Sequence, residues 1–286
     1  MKFYSPLRYP GGKSKLAKFI ALLCKENQIT GSGGHYVEPY AGGASVALFL
    51  LLEGHVSEIT VNDSDRAIYA IWHTILNDTE KFVAKVRRTP VDLDTWKKCK
   101  DVQRRKDTAT LFDLGFSTFF LNRTNVSGII NGGVIGGLGQ GGKYKIDCRF
   151  NKKELIHRIR TIAAHRDSIH LYNLDAVELI KQIGRKSVTP TIFYFDPPYY
   201  LKGESLYLNA YEHSDHEDVS KAIGNIKGAR WVVSYDSTEE IKMLYRNYRT
   251  MEYSLLHTAR TARMGAEVLF FSRNLILPAI EDPTHV

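Results

Sequence analysis

Residues 35–53 read HYVEPYAGGASVALFLLLE. Tyr36 and Val37 suit an extended run, which Pro39 and the pair Gly42-Gly43 then stop. From Ser45 the residues are apolar at spacings of three and four, the pattern of a buried helix. A strand that turns through glycines directly into a helix is the repeating unit of an open parallel sheet. Working outward, further strand patterns fall at 58–62, 169–173, 191–196, 230–234, 249–255 and 267–273. Helical patterns at 14–26, 177–184, 216–226 and 238–246 lie beside them. Little chain separates the last two strands, which predicts an antiparallel pair. The expected fold is α/β, a Rossmann-like seven-stranded sheet with helices on both faces.

The alternation stops between Arg66 and Arg166. Helical patterns at 67–76, 81–86, 93–103 and 110–120 follow one another, then a glycine-rich run from Gly128 to Gly142, then a helix at 152–164. Residues 66–165 hold 19 Lys and Arg against 9 Asp and Glu, a net of +10, which leaves −2 of the chain's +8 for everything else. The expected organisation is a discontinuous sheet domain, 1–65 with 166–286, and an inserted, mainly helical basic domain, 66–165. A positive excess confined to one contiguous third points to a polyanion partner.

Composition excludes several classes. With 43% apolar and 24% charged residues the chain reads as a soluble globular protein. Its longest apolar run, 44–52, is too short to span a bilayer, and no signal peptide precedes Pro10, so no membrane partner and a cytoplasmic location are expected. Cys24, Cys99 and Cys148 lack metal spacing and fit reduced thiols. Gly12-Lys13-Ser14 resembles the end of a phosphate loop, but Leu7 stands where that loop needs glycine. The run from His213 to Asp218 reads as a helix start capped by Ser214 or Asp215, not as a metal site, and no metal is expected.

The strand ends carry the chemistry. They read Glu38-Pro39-Tyr40-Ala41-Gly42-Gly43, Asn62-Asp63, Asn173-Leu174-Asp175, Asp196-Pro197-Pro198-Tyr199 and Ser234-Tyr235-Asp236. Open sheets bind ligands at these ends, and clustered carboxylates suit a cationic or hydroxyl-bearing ligand. In Asp196-Pro197-Pro198-Tyr199 two prolines remove two backbone donors and leave carbonyls free to accept. A carboxylate beside such a carbonyl suits an exocyclic amino group, and Tyr199 offers a flat face to an aromatic base.

These motifs together, in this order and over nearly the whole length, resemble the Dam family, the D12 class of N6-adenine-specific DNA methyltransferases. Arg8-Tyr9-Pro10-Gly11-Gly12-Lys13 and Glu267-Val268-Leu269 resemble the family's first and last motifs. The resemblance implies S-adenosylmethionine as methyl donor and site-specific transfer to N6 of a flipped adenine in double-stranded DNA. It makes Asp196, Pro197, Pro198 and Tyr199 the catalytic residues, the first two as acceptors of the amino hydrogens and Tyr199 stacking on the base. It places Tyr9, Lys13, Glu38, Pro39, Tyr40, Ala41, Gly42, Gly43, Asp63, Asp175, Ala176 and Asp196 around the donor: Lys13 near its carboxylate, Asp63 on its ribose, Asp175 on its adenine. The basic insert becomes a target-recognition domain in a monomer, with pairing to a restriction endonuclease an open partner. Candidate DNA contacts are Arg104, Arg105, Lys106, Asn122, Arg123, Asn125, Lys143, Lys145 and Arg149. The best-known branch carries a wedging aromatic after this segment, where this chain has Val126-Ser127-Gly128, so GATC specificity does not carry over. Methylation of RNA adenine or cytosine N4, and a catalytically silent DNA-binding relative, are the alternative readings.

Overall fold

The computed structural model describes all residues except 1–2, 9–12, 184–189, 201–210 and 258–262, and also leaves aside the side chains of 255–257 and 263–264. Tyr9 and most of the tyrosine-rich stretch after Tyr199 thus lie outside the described residues. The chain forms two compact units, Lys13–Asp63 with Ser168–Val286, and Ser64–Asp167 with the N-terminal residues up to Gly12. The expected division put residues 1–65 in the sheet domain. Residues 3–8 instead group with the insert, because the Arg8 backbone exchanges two hydrogen bonds with the Asn122 side chain, both 2.7 Å, and Arg158 donates to the Ser5 carbonyl at 3.0 Å.

The sheet unit has seven strands: β1 (His35–Glu38), β2 (Glu58–Asn62), β3 (Ile169–Tyr172), β4 (Thr191–Phe195), β5 (Arg230–Asp236), β6 (Arg249–His257) and β7 (Arg263–Phe271). Their order is β3-β2-β1-β4-β5-β7-β6. The first five run parallel, and β7 pairs antiparallel with both β5 and β6. This is the expected doubly wound fold. Its helices are α1 (Ala17–Glu26), α2 (Ser45–Leu52), α8 (Ala176–Ile183), α9 (His213–Gly224) and α10 (Glu239–Leu244), numbered in chain order with α3–α7 in the other unit. Strand β4, TIFYF, is buried along its whole length, so it is apolar on both faces instead of alternating. Phe193 and Phe195, two residues apart on one face, stack at 5.8 Å within a core that includes Val37, Trp231, Val233, Val268 and Phe270. A core of this kind fixes where the strands end, and hence where the site can form.

The second unit is helical: α3 (Arg66–Asn77), α4 (Thr79–Arg88), α5 (Leu93–Arg104), α6 (Leu111–Thr124) and α7 (Lys152–Ala163). Asp65, Asp92, Thr110 and Asn151 each cap a helix by accepting from a first-turn N–H. Helix α6 packs closely on α3 at Gly115, where a β-carbon would meet Thr74 Oγ1 at 2.4 Å. The glycine-rich run holds turns and one isolated antiparallel bridge, Asn125 to Val134. No described helix is long and apolar enough to cross a membrane.

Candidate active site

Strand order reverses between β1 and β4: the chain steps from β1 to β2 on one side and from β4 to β5 on the other. Ligand sites of open sheets form at the carboxyl ends of the strands flanking such a reversal. Glu38 closes β1 and Asp196 follows β4, so two carboxylates flank the switch point.

On the β1 side, Asn62 ties three strand ends together. Its amide donates to the carbonyls of Pro39 (2.9 Å) and Leu174 (3.0 Å) and accepts from the Leu174 N–H (2.9 Å). The turn after β1 is narrow: Ala41 N–H donates to the Asn62 carbonyl at 2.8 Å and Gly42 N–H to Asp63 Oδ2 at 3.0 Å. Gly42 and Ala44 both take left-handed backbone, φ 45° and 46°, which costs Ala44 roughly 1–2 kcal/mol and opens α2 one residue later. Asn173 fixes the Asp63 carbonyl (2.7 Å), and Asp175 caps α8 through the Val177 N–H (2.8 Å). Gly43 and Ala176 are buried, and Tyr40 shares a hydroxyl hydrogen bond with Tyr211 at 3.2 Å. Apart from Lys13, the predicted cofactor residues within the described chain therefore lie at or just beyond adjoining strand ends.

Glu38 supports a donor site there. Oε2 is fully buried and has no hydrogen-bond partner among the described residues. Burial, then the nearby Asp196 charge, pushes its carboxyl well above the usual range. A buried acceptor without a donor is unfavourable by itself and suits a ligand carrying N–H groups, such as the amino group of S-adenosylmethionine.

On the β4 side, Asp196 is held from two directions. Ser234 on β5 donates to its Oδ1 at 2.8 Å, and Lys13 Nζ lies 3.2 Å from the same oxygen. Asp236 at the end of β5 accepts from Tyr200 N–H at 3.0 Å, which anchors the chain beyond the two prolines. Among the described residues Oδ2 and the Pro197 carbonyl have no donor, and the side chain is 18% exposed. Burial pushes the Asp196 carboxyl up, Lys13 pulls it back, and Glu267 pushes it up again.

Lys13 pairs with Asp196 (3.2 Å) and with Glu267 (3.0 Å), and one placement differs from expectation. Tyr199 is only 3% exposed, and its hydroxyl donates to Glu267 and accepts from Lys13 at 2.5 Å. Lys13 Nζ is 4.7 Å from the ring centroid, so it lies towards the hydroxyl end and not over the face. The expectation of an open stacking face is thus corrected: the ring is buried here.

In the helical unit Asn122 and Asn125 are corrected from base contacts to scaffold. Both are buried. Asn122 bridges Arg8 and the Gly128 carbonyl (2.9 Å). Asn125 accepts from Trp96 Nε1 (2.7 Å) and donates to the carbonyls of Ile129 (2.8 Å) and Ile130 (2.9 Å), holding the glycine-rich run at its base. Arg123 is likewise committed, donating to the Arg149 and Pro6 carbonyls. Burial and the nearby Arg8, Arg158 and Arg149 lower its pKa to about 10. Lys143, Lys145, Arg149, Arg104 and Arg105 are exposed. Lys145 donates to the Gln140 carbonyl, Arg104 pairs with Asp101, and half-buried Lys106 lies 3.7 Å from Asp65.

Two residues gain weight beyond the predicted site. Glu267 is buried in β7 against Lys13, Tyr199 and Tyr253; its signal was a lone acid inside the apolar run AEVLFF. Arg8 joins Arg123, Arg149 and Arg158 in an arginine cluster whose only described carboxylate partner is Glu154, on Arg158. The run after Tyr211 is a helix start, with Asp215 accepting from Glu212 N–H (2.8 Å), so the cap lies just ahead of the expected one. No metal-binding group of His, Cys, Asp or Glu exists among the described residues.

Comparison with known proteins adds the following. The family model for D12 class N6 adenine-specific DNA methyltransferase matches residues 9–261. Type II methyltransferase M.MjaIII of Methanocaldococcus jannaschii is 20% identical over 229 residues, covering 74% of each chain. Among solved structures, the rRNA methyltransferase aviRa of Streptomyces viridochromogenes is similar with a TM-score of 0.38 at 10% identity, over 92% of this chain and 86% of that one. A SAM-dependent methyltransferase of Agrobacterium tumefaciens gives 0.39 at 10% identity, over 90% of this chain and 61% of that one.

Proposed function

The chain belongs to the D12 class of N6 adenine-specific DNA methyltransferases, with S-adenosylmethionine as methyl donor, and from that premise we propose that it methylates N6 of an adenine flipped out of duplex DNA at a specific sequence. The observation that carries the reading is Asp196: one oxygen fixed by Ser234 and Lys13, the other without a described donor, next to an equally free Pro197 carbonyl.

When bound, the donor supplies a methyl carbon on a sulfonium sulfur. Glu38 Oε2 accepts from its amino group, the Gly42 turn lets it approach the backbone, and Asp63 and Asp175 stand at the next strand ends for its ribose and adenine. On the other side of the switch point, Asp196 Oδ2 and the Pro197 carbonyl accept the two hydrogens of the target amino group. Two acceptors hold those hydrogens so that the nitrogen lone pair, otherwise delocalised into the ring, is localised and directed at the methyl carbon. Asp196 then faces the positive charge that develops on N6 and can take the released proton, a preorganised electrostatic contribution. No covalent enzyme intermediate is needed, and the buried Cys24 and Cys99 thiols, pushed up to about 12 by burial, are poor nucleophiles.

A base within a duplex cannot reach such a pocket, so extrusion is part of the reading. Stacking by Tyr199 requires its ring to gain a free face; Tyr199→Phe should then keep more activity than Tyr199→Ala. The helical unit supplies the phosphate-binding surface through Arg8, Arg149, Lys143 and the exposed Arg104–Lys106 segment. Crowded like charges with few carboxylate partners favour a bound anion.

The test is transfer of labelled methyl groups to duplex DNA, single-stranded DNA and RNA, with the DNA then sequenced for N6-methyladenine. Label in adenine of one duplex motif supports the reading. Label only in RNA, or only on cytosine, replaces it, and no label with intact DNA binding means a silent relative.

A further inference from the structure

Glu267 has no role in the scheme above, yet it touches two residues that border the reaction. A buried carboxylate inside an apolar strand is costly unless well paired, and fold stability alone would favour an apolar residue there. Glu267 is 0% exposed. Tyr199 donates to its Oε1, and Tyr253 on β6 donates to its Oε2 at 2.6 Å. Lys13 Nζ lies 3.0 Å from Oε2, 3.2 Å from Asp196 Oδ1 and 2.5 Å from the Tyr199 hydroxyl. An ammonium has three hydrogens, and these are three acceptors. One cation is thus divided between two carboxylates.

We propose that Glu267 is a positioning residue for methyl transfer, holding Lys13 so that Asp196 keeps its charge and one uncommitted oxygen for the target amino group. Lys13 remains paired with Glu267 when the amino group arrives, so Asp196 need not shed its counter-ion to accept it. With Glu267 neutral, one of the two ion pairs is gone and Lys13 turns wholly to Asp196. The carboxylate is then neutralised and its acceptor strength towards N6 falls. The role rests on the reading that Asp196 receives the target amino group.

The acid limb of the rate profile gives a signature that packing alone would not. The ionisable described groups facing Asp196 are Lys13, Glu267 and Glu38, the last pushed well above the usual carboxylate range by burial; Tyr36, Tyr194 and Tyr235 also face it and stay protonated because burial raises them. Burial raises Glu267, but Lys13 and the hydroxyls of Tyr199 and Tyr253 bring it below the usual range, so it is ionised where the enzyme works. Removing its charge relieves repulsion on Asp196 and tightens the Lys13 pair. Both effects move the acid limb to lower pH, while the plateau rate falls.

The experiment compares wild type, Glu267→Gln, Lys13→Met, the Lys13→Met/Glu267→Gln double variant and Asp196→Asn in single-turnover transfer to duplex DNA across pH, with donor binding measured by calorimetry. Glu267→Gln is expected to lose on the order of tenfold in rate at unchanged donor affinity, with its acid limb moved down. Above the acid limb the double variant should match Lys13→Met within about twofold, because Glu267 acts through Lys13. An unchanged plateau in Glu267→Gln, or a loss with an unmoved limb, overturns the proposal. Should Glu267→Gln not fold, a double variant tenfold slower than Lys13→Met overturns it as well. An active Asp196→Asn would instead remove the underlying reading, a different failure.

Discussion

The two units use polar residues in opposite ways. In the sheet unit the strands are largely apolar and most of their carboxylates fall at or just beyond the carboxyl ends, at Glu38, Asp196 and Asp236, whereas Glu267 lies inside β7. In the helical unit the charge lies outside, on Arg104, Arg105, Lys143 and Arg149, while the buried polar residues Asn122 and Asn125 hold loops in place. The buried carboxylates of the first unit are therefore the candidates for chemistry, whereas Asn62 there, like Asn122 and Asn125 in the second, holds backbone in place. The distinction can be broken by mutation.

The largest effect belongs to the sheet unit. On the proposed reading Asp196→Ala removes both the amino-group acceptor and the charge facing N6, and transfer should fall on the order of a thousandfold or more. Binding to duplex DNA, measured by fluorescence anisotropy, should stay close to wild type, because the proposed phosphate contacts lie in the other unit. Joint loss of transfer and binding would show that the two functions are not divided this way.

Asn125→Ala tests the opposite side. It leaves Trp96 Nε1 without an acceptor and takes one of two donors from each of the Ile129 and Ile130 carbonyls, which keep Gly132 N–H and Lys100 Nζ. The unpaired indole N–H costs about 1–3 kcal/mol. The expected result is a lower melting temperature and earlier proteolysis within 64–167, with the methylated motif unchanged in whatever activity survives. A stable variant with a new motif would return Asn125 to the base-reading role read from sequence.

The sheet unit was the more legible because strand periodicity fixes position. Once 35–38, 58–62 and 191–196 read as parallel strands, their last residues had to share an edge, and Glu38, Asp63 and Asp196 followed. The residues acting through others were not legible. Lys13 and Tyr199 are 186 positions apart, and only the fold brings them together with Glu267. In the helical unit residue type misled: asparagine suits an adenine edge and a backbone carbonyl equally, and burial decided between them at Asn122 and Asn125. The place of residues 3–8 was hidden for the same reason, since it depends on the Asn122 amide.

Protonation gives a third, smaller effect. On the proposed reading Asp196 acts only when ionised, and burial holds its carboxyl above the ordinary range, so activity should fall with acid earlier than an exposed aspartate would allow. Lys13 lowers that carboxyl. In Lys13→Met the acid limb should therefore move to higher pH, with the reaction largely restored by alkali. An unmoved limb would mean that Asp196 does not set it.

The smallest effect should come from the exposed charges. Replacing Arg104, Arg105 and Lys106 by Gln removes three cations, of which Arg104 already pairs with Asp101 and Lys106 lies near Asp65. Exposed pairs of this kind exchange partners readily, so a phosphate can take the place of either aspartate. Each phosphate contact steepens the fall of log affinity with log salt by about 0.9. The triple variant should thus bind every duplex more weakly at low salt and show a slope shallower by between about 1 and 3, with no change in the methylated motif. Replacing Arg149 and Lys143 in the same assay is the control, since neither forms an ion pair among the described residues. If that pair flattens the slope and the triple does not, the phosphate surface lies on the arginine cluster around Arg8, and the Arg104–Lys106 segment faces solvent.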